Sequence, residues 1–281
     1  MYPLTSTLSL LTLLLTTHVL PTSAAPNMVP DYEVKLLLNA TAVLDPTNSY
    51  KLKPTVLSTF SMPTSVTKMN VQFLDTTTKQ IYNAGWSPRV RKTEGESGFE
   101  LTYKKRYPVV GGDINAALTT ANGEGFDSTE TNYDAQIEWG YSQKTLSISR
   151  KKSATKSGYS GMDLTDQADS IDILVDKAPG KFVDWLYNGW GTDMLDVSRI
   201  YGPVLAKRSI GTWSGLELYI EVWPIKDVSG TGIEYIVEAS FKTGSVTTAG
   251  TKSGDLQTFL TGKGWFLAGD SLKTGLIMER Y

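Results

Sequence analysis

Large apolar residues alternate with charged ones in segment after segment of this chain. In Asp31–Leu38, Tyr32, Val34, Leu36 and Leu38 fall on one face, and Asp31, Glu33 and Lys35 on the other. A period of two belongs to β-strands, whose successive side chains point to opposite sides. Residues 99–105 set Phe99, Leu101 and Tyr103 against Glu100, Thr102 and Lys104. Residues 135–141, 216–222 and 233–242 repeat the pattern, with Glu138, Glu221 and Glu238 on their polar faces. Shorter strands are expected at 71–74, at 88–92 with Arg89 and Arg91 on one face, at 145–151 and at 204–209.

Helical periodicity is confined to fewer places. Residues 163–190 carry Ile171, Leu174 and Val175, then Phe182, Trp185 and Leu186, interrupted at Pro179-Gly180. A further helix is expected over 253–261. Residues 111–131, rich in Gly, Asn, Asp and Thr, read as a long loop. No linker divides the chain, so one domain over 26–281 is expected.

The polar faces carry Glu, Lys and Arg of mixed sign, and two arrangements fit them. The apolar faces could form a sandwich core with the charges in water. Alternatively the sheet could curl into a barrel with the charges inside and helices over its apolar exterior. Enclosed charges are costly unless paired, hydrated or matched to a ligand.

Composition narrows the chemistry. There is no cysteine, and the single histidine, His18, lies in an apolar leader. Disulfides, Cys or His metal sites and Ser-His-Asp catalysis are excluded from the mature chain. The 27 basic and 29 acidic residues give no general pull toward nucleic acid or acidic membranes. Residues 1–25 lack charged side chains, contain a leucine-rich core at Leu8 to Leu15 and end in small residues. They are expected to be a signal peptide, making the protein secreted, extracellular and free of a membrane span. The sequon Asn39-Ala40-Thr41 offers a site for an N-glycan.

The order of the charged motifs resembles the CYTH superfamily of triphosphate tunnel metalloenzymes. Asp31-Tyr-Glu33-Val-Lys35 is similar to its opening Glu-x-Glu-x-Lys strand, and Arg89-Val-Arg91 to its Arg-x-Arg segment. Phe99-Glu-Leu-Thr-Tyr-Lys104 resembles the next strand, and Gln136-Ile-Glu138 the mid-chain acidic pair. Arg208, Glu221, Glu238-Ala-Ser240 and Lys273 resemble the later basic and acidic positions. The likeness implies an α+β, mainly β fold: an eight-stranded antiparallel tunnel-like barrel with helices packed outside. It also implies a metal-dependent hydrolase of inorganic triphosphate or a nucleoside triphosphate. Lys35, Arg89, Arg91, Lys104, Arg208 and Lys273 would bind phosphate. Glu33, Glu138, Glu221 and Glu238 would hold Mg2+ or Mn2+, with Glu33 and Glu138 catalytic.

Three positions depart from that pattern. Asp31 is one methylene shorter than Glu, Gln136 is uncharged, and Ser240 stands where a second late carboxylate would be. The basic set is better kept than the acidic one. A catalytically inactive, secreted polyanion-binding or interaction protein on the same fold is therefore the alternative. Between Lys207 and Arg208, which point to opposite faces, Arg208 is chosen because it shares a face with Val204 and Ala206.

Overall fold

The computed structural model describes residues 25–270 and 272–281. The leader expected at 1–25, with His18, falls outside them except for Ala25. Nine strands among the described residues close into one barrel. They are β1 (Asp31–Leu38), β2 (Thr67–Asp75), β3 (Trp86–Thr93), β4 (Phe99–Pro108), β5 (Asp134–Trp139), β6 (Lys144–Ala154), β7 (Arg199–Trp213), β8 (Leu216–Lys226) and β9 (Ile233–Thr243). Around the ring the order is β1-β9-β8-β7-β2-β3-β4-β6-β5.

The mainly β, tunnel-like barrel agrees with expectation, but eight antiparallel strands do not. Eight neighbouring pairs are antiparallel, and the closing pair, β1 with β5, is parallel. Parity explains this. Strand direction reverses at every antiparallel step, so a ring with an odd number of strands must contain a parallel pair. The register of that pair sets Asp31 opposite Gln136 and Glu33 opposite Glu138.

The barrel encloses the charged faces. Its apolar exterior, including Val34, Leu36, Trp86, Leu101, Tyr103 and Ile148, is buried under helices and loops. The Val246–Gly262 helix contributes Ala249, Leu256 and Leu260 to this layer. Ser245 caps it by accepting from the Thr248 N–H at 3.2 Å, eight residues before the expected start. The interrupted segment becomes the helices Gln167–Asp176, Gly180–Val183 and Trp190–Asp196. Trp86 packs against Phe126, Phe182 and Trp185 with ring centroids 5.3–6.1 Å apart.

The expected loop at 111–131 instead contains the helix Ile114–Gly123, capped by the Asp113 carboxylate on Ala116 N–H at 2.9 Å. Its buried stripe is Ala117, Leu118 and Ala121, too weakly apolar to stand out from the polar residues around it.

Part of the barrel interior is apolar. Met69, Val71, Phe73, Val204, Ala206, Trp223 and Ile225 form a second buried cluster with Ile277 and Met278 of the Lys273–Arg280 helix. Arg199 donates to the Tyr281 carbonyl at 2.6 Å, and Arg280 to the Lys226 carbonyl at 3.0 Å, anchoring the chain end. Asn39 is exposed just beyond β1, where its Oδ1 accepts from Thr41 N–H. No helix among the described residues is long and apolar enough to cross a membrane.

Candidate functional site

All ten side chains singled out in the sequence line one cavity of about 420 Å³ inside the barrel. That volume is within the roughly 300–1,000 Å³ typical of small-ligand sites. Lys35 and Glu33 reach it from β1, Arg89 and Arg91 from β3, Lys104 from β4 and Glu138 from β5. Arg208, Glu221 and Glu238 come from β7, β8 and β9, and Lys273 from the C-terminal helix. Period two accounts for the convergence of nine of them, each on the inward face of a strand, and the C-terminal helix adds Lys273. Arg208 points inward as expected, and Lys207 points out toward the Ser49 carbonyl.

Arg106 and Glu100, which are not among those ten side chains, also line the cavity. Arg106 shares the face of Lys104, but the expected strand ended one residue before it, whereas β4 runs to Pro108. Its guanidinium donates to Ser87 at 2.8 Å and Thr274 at 3.2 Å. Glu100 bridges the arginine pair, 3.0 Å from Arg89 and 2.7 Å from Arg91.

Around β1 and β5, the Lys35 ammonium lies 3.2 Å from Glu33 and 3.3 Å from Glu138. Glu138 also accepts from Lys104 and from Ser147, both at 2.7 Å. Burial pushes the Glu138 carboxyl up, but Lys104 and Lys35 outweigh it and hold it well below the usual range. Glu33 is likewise held low by Lys35 and Lys242 against the effect of burial. Burial brings Lys104 down to about 8 despite Glu138, and Arg89 down to about 10 with help from the neighbouring Arg91. At neutral pH the basic groups remain charged and poised for an anion.

A second group forms around β8 and β9. Glu221 accepts from Arg208 at 2.6 and 2.9 Å, from Trp223 at 2.9 Å and from Lys273 at 2.8 Å. Lys273 lies 2.6 Å from Glu238. Burial dominates at Glu238 and raises its carboxyl, whereas Lys273 and Arg208 overcome burial at Glu221 and depress it.

The Nε atoms of Arg89, Arg91 and Arg106 are buried without a hydrogen-bond partner. The side chains of Lys35, Arg89, Arg91, Lys104 and Arg106, gathered around one cavity, favour an anionic ligand there. The donors also suit a hard cation. Asp31, Glu33, Gln136 and Glu138 form a two-by-two patch of oxygen donors lining the cavity across β1 and β5. Among the described residues no three acidic side chains form a ready-made metal cage. Mg2+ needs none, because one or two carboxylates, waters and substrate phosphate oxygens complete its shell.

HpAC1 from Hippeastrum, named for adenylyl cyclase and described as having a dominant triphosphatase activity, matches 89% of this chain and 99% of its own. The TM-score is 0.51 at 15% identity. A Bacillus halodurans protein provisionally designated an adenylate cyclase covers 90% of this chain and 98% of its own, with a TM-score of 0.49 at 12% identity. No family model and no curated protein sequence matches the chain. The chain thus shares the fold of HpAC1, in agreement with its tunnel-like barrel.

Proposed function

We propose that this protein is a tunnel hydrolase that cleaves the terminal phosphate from inorganic triphosphate or a nucleoside triphosphate. The observation carrying this reading is the set of arginine and lysine side chains lining one cavity inside the barrel. The triphosphatase activity described for HpAC1 on the same fold agrees with it. The uncharged, leucine-rich start of the sequence supports a secreted form of that activity.

Lys35, Arg89, Arg91, Lys104 and Arg208 bind the phosphate oxygens in this reading. Arginine suits the task because its planar fork stays charged and can donate two parallel hydrogen bonds. Glu33 and Glu138 hold Mg2+ or Mn2+ beside Asp31 and Gln136. When bound, the ion neutralises charge on the phosphate oxygens. Glu33 Oε1 has only the distant Lys242 ammonium, at 3.9 Å, as an ionic partner. That oxygen orients a water and accepts its proton as the water oxygen attacks the terminal phosphorus. The bridging P–O bond breaks, and diphosphate or a nucleoside diphosphate leaves with the electron pair. Catalysis is mainly positional and electrostatic, as phosphoryl transfer allows.

Phosphate release from tripolyphosphate tests the reading. It should require Mg2+ or Mn2+ and collapse in Lys35→Ala. Folded wild-type protein that releases no phosphate with any divalent ion would contradict it.

A further inference from the structure

The two acidic pairs in the tunnel are not equivalent. Glu221 and Glu238 face each other across β8 and β9, as Glu33 and Glu138 do across β1 and β5. A lysine ammonium lies between the carboxylates of each pair, but Lys273 sits closer, 2.8 Å from Glu221 and 2.6 Å from Glu238, than Lys35 does to Glu33 and Glu138 at 3.2 and 3.3 Å. Both Glu221 oxygens are occupied: Oε1 accepts twice from Arg208, and Oε2 accepts from Trp223 and Lys273. Two carboxylates here face two close cations, whereas at the other pair Asp31 adds a third carboxylate and the ammonium paired with Glu33 Oε1 is that of Lys242, 3.9 Å away. The third late oxygen donor is a hydroxyl, Ser240, paired in register with Lys35.

Lys273 is also difficult to displace. It is the first residue of the Lys273–Arg280 helix, whose Ile277 and Met278 are buried in the apolar part of the barrel. Moving the ammonium aside would leave it and two carboxylates buried with fewer partners. A hard divalent ion would in addition have to surrender part of its water shell.

We propose that Lys273 is a tethered cation that takes the place of a divalent ion between Glu221 and Glu238. The tunnel then takes up one divalent ion per chain, at the Glu33–Glu138 patch. Only the ion at that patch rests on the proposed function; the assignment of Lys273 does not.

Bound Mn2+ counted by electron paramagnetic resonance during titration of the whole protein tests this. Wild type should bind one ion, Lys273→Gln one more, and the added change Glu221→Gln should abolish that gain. Wild type binding two ions, or Lys273→Gln gaining none, would overturn the proposal. Wild type binding none while Lys273→Gln binds one would support the role of Lys273 and count against an ion at Glu33. Lys273→Gln strips two buried carboxylates of a partner and lowers stability, so Glu238→Gln gives an independent arm. It should leave the wild-type Mn2+ count unchanged, and loss of one ion would overturn the proposal.

Discussion

Glu33 and Glu138 stand opposite one another on β1 and β5, the two strands that close the barrel in parallel, and share the Lys35 ammonium. Residues distant in sequence thereby form one acidic step in a basic tunnel. Glu33→Gln should reduce phosphate release by about 10²–10⁴-fold, the usual range for a lost acid–base group. Without a divalent ion, calorimetric affinity for tripolyphosphate should hold or rise, because a negative charge has left an anion site. Equal loss of binding and turnover would count against this role.

Arg89 and Arg91 carry the anion wall. Replacing either with alanine removes at least one charged hydrogen bond, worth about 1.5–3 kcal/mol. Tripolyphosphate affinity should weaken roughly 10- to 150-fold by titration calorimetry. Unchanged affinity in both variants would place the anion elsewhere.

Lys104 supplies a pH dependence. Burial lowers its ammonium to about 8, so it loses its charge as pH rises through that value. Wild-type affinity for tripolyphosphate should fall between pH 7 and pH 9.5. Lys104→Arg, whose guanidinium stays protonated, should show a smaller fall over the same range. Parallel curves would show that Lys104 does not set the dependence.

Much of the site could be read before the fold was known, because an inward face repeats every second residue. Val204, Ala206 and Arg208 show this directly: two small apolar residues identify the interior face, and the cation follows. Arg106 lies one residue beyond the strand expected over 99–105, because β4 continues to Pro108. Nine strand segments were visible in the sequence, whereas the family likeness implied eight. The parallel contact of β1 with β5 has no local signature, since it joins residues about a hundred positions apart. Nor did any cap signal mark the helix carrying Lys273, because Leu272 at its N-cap makes no side-chain hydrogen bond.

The aromatic layer outside the barrel should bear on stability rather than binding. Trp86 is fully buried against Phe126, Phe182 and Trp185, while its strand neighbour Ser87 faces the opposite way and accepts from Arg106. Trp86→Ala should cost about 3–5 kcal/mol in denaturant unfolding, as for other large aromatic truncations. A loss below about 1 kcal/mol would contradict the tight packing assigned to this layer.

The central claim is that water attacks the terminal phosphorus of a triphosphate held in the tunnel. Hydrolysis of tripolyphosphate in ¹⁸O-labelled water, followed by phosphorus NMR, tests it most directly. The monophosphate released should carry the label and the diphosphate none, with Arg91→Ala forming less of both at subsaturating tripolyphosphate. Label in the diphosphate, equal turnover by Arg91→Ala, or tight binding with no cleavage by the wild type would contradict the account.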